Sequence, residues 1–257
     1  MRNLSGAELI RVWEHTVHRS PVQQALGLLS AAFPEHSMDR LARLGIGQRD
    51  ALLLTLRERL FGSDLDGMVV CPRCRQRIEL NCKVSDLRVE PIGLEAIGSG
   101  DQPITLTMEG YHVEFRIPNS LDLTSIETGT DVNDARRRVL SQCIHSVVRT
   151  AEEPADAKAL NDFTRLPQSL IDAIAERLAE ADPQANTRLA FSCPDCGHAW
   201  SATFDIATYV IKEIQRYVKH LLEEVHHLAR GYGWREADIL AMTPTRRRVY
   251  LQMLDVS

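Results

Sequence analysis

The stretch Leu189–Asp205, LAFSCPDCGHAWSATFD, holds Cys193-Pro194-Asp195-Cys196, which reads as half of a tetrahedral metal site. The other half has to come from elsewhere. The one other C-x-x-C is Cys71-Pro72-Arg73-Cys74, in MVVCPRCRQRIELNCKV, and 118 residues separate Cys74 from Cys193. Aligned on Cys71 and Cys193, CPRCRQRIELNC lies over CPDCGHAWSATF. Each half reads as a knuckle followed by a strand, with Ile78, Leu80 and Cys82 opposite Trp200, Ala202 and Phe204. Alternate residues of a strand share one face. Two such units pack around one ion as in a zinc ribbon, so Cys71, Cys74, Cys193 and Cys196 are expected to close on one zinc. Four thiolates leave no open position for water, so that zinc is expected to be structural. The competing reading is two independent dithiols, but no thioredoxin-like βαβ pattern surrounds either pair.

Hydrophobic residues make up 44% of the 257 residues and charged ones 25%, as in ordinary soluble proteins. No apolar run is long enough for a membrane-spanning helix and the start has no signal-peptide core, so an intracellular, cytoplasmic protein is expected. Cysteine pairs in a reducing compartment favour metal over disulfides. The net charge is -5. From Lys83 to Ala190, 11 Lys and Arg stand against 18 Asp and Glu, a net of -7. No segment is basic enough to coat a nucleic-acid backbone.

The remaining pattern is mainly helical. Ser5 and Glu8 form a capping-box pattern ahead of Leu9, Ile10, Trp13 and Val17. Ser20-Pro21 opens a second helix, and a third is expected from about Gln48 to Leu60. ITLTMEGYHVEFRIP reads as a β-hairpin turning at Glu109-Gly110. Helices are expected from about Asn133 to Val148 and again up to Pro183, with an acidic loop at 151–163 between them. Ile206, Val210, Ile214, Tyr217, Leu221, Val225 and Leu228 form the apolar stripe of one long helix, followed by two shorter ones. The expected architecture is therefore mainly α with a small β component: a helical body, a split zinc ribbon and a β-hairpin insertion. Its segments are a helical region at 1–66, ribbon halves at 67–86 and 189–205, an acidic α+β insertion at 87–188, and a helical region at 206–257.

Other chemistry-bearing residues read as structural. Cys82 aligns with Phe204 as a buried apolar cysteine, and Cys143 and His145 pack in a helix. His198 follows a knuckle but is not needed as a ligand, and His226 and His227 point about 100° apart on a helix. Glu152-Glu153 and Glu223-Glu224 read as solvated charge. No nucleophile elbow, zinc-protease motif or phosphate-cradling loop nominates a catalytic site or a small-molecule substrate.

The segment EEVHHLARGYGWREADILAMTPTRRRVYLQML is the most distinctive. Its His227, Leu228, Ala229, Tyr232, Gly233, Trp234, Glu236, Ile239, Leu240, Pro244, Arg246, Arg247, Tyr250 and Leu251 resemble the C-terminus of baseplate proteins of contractile phage tails. The relatives are the T-even-type hub or hub-assembly proteins and their counterparts in extracellular contractile injection systems. GQRDALLLTLRERLFG followed by CPRCRQRIEL is similar to the injection-system branch. The resemblance implies a non-enzymatic structural or chaperone-like assembly role in the cytoplasm, with other baseplate, hub or spike proteins as partners, and leaves open whether the chain stays in the particle. On that reading Arg246, Arg247 and Tyr250 are expected to contact a partner, with Trp234 positioning them. A zinc-ribbon and helix-turn-helix regulator built on READILAM and PTRRRVYLQML is the alternative, and a zinc-dependent enzyme or redox protein a third reading.

Overall fold

The computed structural model describes residues 1–89, 103–124, 126, 131–149, 158–159 and 166–255. Of these, 57% are helical and 19% lie in strands, so the protein is mainly α with small sheets. In chain order the elements are α1 (Gly6–Thr16), α2 (Pro21–Ala32), α3 (Met38–Ala42), α4 (Ile46–Phe61), β1 (Asp64–Val70), β2 (Arg77–Lys83), α5 (Val84–Leu87), β3 (Ile104–Met108), β4 (Tyr111–Phe115), α6 (Ser120–Thr124), α7 (Val132–Cys143), β5 (Ile144–Arg149), β6 (Lys158–Ala159), α8 (Gln168–Ala181), a 3-10 turn (Pro183–Asn186), β7 (Arg188–Ser192), β8 (Ala199–Thr203), α9 (Ile206–Tyr232), α10 (Glu236–Leu240) and α11 (Pro244–Asp255). They form two compact units, Met1–Pro34 with Ala207–Ser257, and Glu35–Ile206.

In the first unit both N-terminal helices start on capping boxes. Ser5 accepts from the Glu8 N–H while Glu8 accepts from the Ser5 N–H at 2.8 Å. Ser20 and Gln23 repeat the arrangement, with Pro21 in the first turn of α2. Val210, Ile214, Leu221, Val225 and Leu228 of α9 are buried, as the apolar stripe predicts. Val225 and Leu228 also join Ile239 in a smaller core that Tyr232, Trp234, Tyr250 and Leu254 cover.

The second unit is built from three small sheets, with strand orders β1-β2, β3-β4-β5-β6 and β7-β8. The expected hairpin is β3-β4. Glu109 and Gly110 at its turn have φ of 53° and 76°, the left-handed pair that a type I′ turn requires. The helix expected up to Val148 stops at Cys143, and Ile144–Arg149 is a strand instead. Its β-branched Val147 and Val148 pair with Val113 and His112 of β4, so cross-strand packing wins over the helical pattern. Helix α8 covers this sheet through Leu170, Ile171, Ile174 and Leu178. The expected acidic loop 151–163 and Glu152-Glu153 lie outside the described residues, apart from the two-residue strand β6.

Helix α4 is buried on most of its surface, including Leu52, Leu53, Leu54 and Leu56. Gly47 in its first turn donates its N–H to Asp182 at 2.9 Å. A β-carbon at Gly47 would fall 1.8 Å from an Asp182 oxygen, so no other residue fits without displacing that carboxylate. No helix among the described residues is long and apolar enough to cross a membrane.

Candidate metal centre

Each C-x-x-C forms the tip of a two-stranded antiparallel hairpin, the first between β1 and β2, the second between β7 and β8. The sequence pattern marks the strand after each knuckle; the strand before it, β1 or β7, is an addition. The two hairpins are equivalent residue for residue. Val70 pairs with Arg77 and Ser192 with Ala199, each 122 positions apart, and the ladders continue in the same register. The Cys71 N–H donates to the Gln76 carbonyl at 2.9 Å and the Arg75 N–H to the Cys71 carbonyl at 3.0 Å. At the second tip Cys193 donates to His198 at 2.9 Å and Gly197 to Cys193 at 3.0 Å. Arg75 and Gly197 hold the same left-handed conformation, with φ of 66° and 67°. A cross-strand pair, Phe191 and Trp200, stacks at 5.3 Å on the partly buried face of the second hairpin.

These turns bring the four sulfurs of Cys71, Cys74, Cys193 and Cys196 within 4.8 Å of one another. Cys74 lies 3.5 Å from Cys193, and Cys71 3.8 Å from Cys196, so close pairs run between the hairpins. Thiolates around a tetrahedral zinc at about 2.3 Å stand about 3.8 Å apart, and the cluster matches that edge. With the sulfurs this close, ionising one thiol discourages the next. Burial pushes the Cys71 thiol up, but backbone N–H groups of Cys74 and Arg73 and neighbouring thiols outweigh it and hold it at about 7. The Gln76 N–H favours the Cys74 thiolate, yet burial and the three other sulfurs push it up to about 12. The Cys196 thiol is likewise raised: the His198 N–H favours its thiolate, but burial and the Cys193 and Cys71 sulfurs outweigh that. A divalent cation would remove this repulsion and take all four as thiolates. The donor set therefore fits one closed, four-sulfur metal site.

The other two cysteines stay apart from it. Cys82 is half-buried on β2, and burial followed by the Asp86 charge raises its thiol. Cys143 is fully buried at the end of α7, and burial together with Asp122 pushes it up to about 12. Both are inert neutral thiols. His145 is exposed on β5 rather than packed in a helix. His198 stacks on Trp200 at 5.8 Å and stands outside the four-sulfur cluster. His226 and His227 are exposed, edge to face at 5.6 Å.

The residues expected to meet a partner lie in the other unit. Trp234 stacks on Tyr232 at 4.4 Å and meets Tyr250 edge to face at 4.8 Å. The exposed Arg246 guanidinium sits 5.6 Å over the Tyr250 ring. Arg247 points the other way. It is 5% exposed, bonded to Glu224 at 2.8 Å and to the Met242 carbonyl at 2.8 Å. Glu224 is thus no solvated charge but the anchor of α11 on α9. Its position between Leu221 and Val225 in the apolar stripe is the sequence signal for that.

Comparison with curated proteins and with solved structures gives no match. A family model described as T4 bacteriophage base plate protein matches residues 23–209. The matched span carries both C-x-x-C pairs and all that lies between them, and it ends ahead of α10 and α11. With 187 of its 257 residues matched, the chain belongs to the T4 bacteriophage base plate protein family.

Proposed function

We infer that the chain is a structural or assembly protein of the baseplate hub region of a contractile tail or injection system, acting through protein contacts rather than catalysis. The family match over residues 23–209 is the observation that carries this reading. One structural zinc on Cys71, Cys74, Cys193 and Cys196 ties together two hairpins that are far apart in sequence. The four-sulfur geometry supports that assignment, since a closed thiolate set suits zinc. Its partners are other baseplate, hub or spike proteins, met in the cytoplasm during assembly and kept in the particle.

The contact surface on α11 is Arg246 and Tyr250, backed by Trp234. Arg247 supports it from behind through Glu224 instead of meeting the partner. The test is complementation of a strain lacking the gene with Arg246→Glu/Arg248→Glu. The expected result is loss of assembled baseplates with a folded, zinc-loaded chain; intact particles overturn this surface. A helix-turn-helix regulator is disfavoured. Helix α10 has only five residues, starts with exposed Glu236 and Asp238, and is followed by a triplet with Arg247 already engaged.

A further inference from the structure

We propose that the tip of the first hairpin, at Arg73, Arg75 and Arg77, docks an acidic segment of another tail protein. This rests on the protein-contact reading above and adds a second surface with a partner of defined chemistry.

The two halves of the internal repeat share a scaffold but not a surface. The ladder register, turn hydrogen bonds and cysteine spacing correspond, so folding and metal binding make the same demands on both. The outward residues nonetheless differ. Arg73, Arg75 and Arg77 stand where the second hairpin has Asp195, Gly197 and Ala199. Met68 and Val70, 61% and 47% exposed, stand where it has Ala190 and Ser192. At these five positions one hairpin carries only small side chains; its twin carries three cations and two large apolar side chains.

Arg75 is the sharpest of these differences. Its φ of 66° is a left-handed conformation that the twin fills with glycine. A side chain there costs folding free energy, which points to selection for something besides folding. All three arginines are exposed, and none has a carboxylate partner among the described residues. Three fixed cations around one rigid turn select carboxylates, and the neighbouring Met68 and Val70 provide apolar area that a solvated charge patch would lack.

Nucleic acid is the weaker occupant. No aromatic ring on that face offers a base a stacking surface.

The test uses the full, zinc-loaded chain and two fluorescent probes: a peptide of glutamates interrupted by leucines, and single-stranded oligothymidylate of matched charge. The peptide should bind in preference, and Arg73→Gln/Arg75→Gly/Arg77→Gln should weaken it at least about tenfold, with zinc content and melting temperature kept. Equal binding by the variant, no binding, or preference for the oligonucleotide overturns the proposal. Particle assembly separates it from the broader reading. Assembly lost with the α11 variant but intact with the knuckle variant defeats this surface alone. Assembly indifferent to both defeats the protein-contact reading as well.

Discussion

At the scale of single residues, the second unit depends on a few buried polar contacts. Gly47→Ala would drive a methyl into Asp182 and break a buried hydrogen bond, costing about 3 kcal/mol, read as a lower denaturation midpoint at unchanged slope. Asp50 is buried beside Arg49 at 2.7 Å. Burial, against the pull of Arg49 and with help from Asp205 and Asp182, raises its carboxyl from 3.8 to about 6. The folded state therefore holds the extra proton in that window, so stability should fall as pH rises through it, by up to about 3 kcal/mol. Asp50→Asn, which mimics the neutral acid, should flatten this fall in a pH series of melts. Arg75→Gly should leave stability unchanged or raise it by up to about 1 kcal/mol. The clustering of Cys71, Cys74, Cys193 and Cys196 was legible because C-x-x-C spacing is a chemical signature. The role of Arg247 was not, since a charged residue inside a charged run gives no sign of which way it faces.

At the scale of elements, the hairpins are the working parts. If they share one ion, Cys71→Ser and Cys193→Ser should be equally damaging, each abolishing zinc retention and lowering the melting temperature alike. Two independent sites would give partial and separable losses. The outlook of the first unit differs: Ser5→Ala removes one cap of α1 and should cost about 1 kcal/mol by denaturant melt, without touching zinc content. Strands after each knuckle were legible from the alternation of Ile78 and Leu80 with Trp200 and Ala202. Those before were less so, because DLDGMVV mixes charges and glycine and its Met68 and Val70 face solvent. Strand β5 was hidden for a different reason. Leu140, Ile144 and Val147 fit helical spacing, and only the pairing of Ile144 and Val147 with β4 decides against it.

At the scale of the whole molecule, the account makes one ion the closure of a loop of 118 residues. Closing so long a loop constrains the unfolded chain, and structural zinc sites of this kind contribute on the order of 10 kcal/mol in apparent binding free energy. Removing zinc with a chelator should therefore loosen the whole Glu35–Ile206 unit, visible as rapid hydrogen exchange in both hairpins together. The most direct measurement is metal content combined with X-ray absorption at the zinc edge on the purified chain. One zinc per chain with four sulfur neighbours at about 2.3 Å is the predicted result. No bound zinc, two ions per chain, or a shell containing nitrogen or oxygen would contradict it.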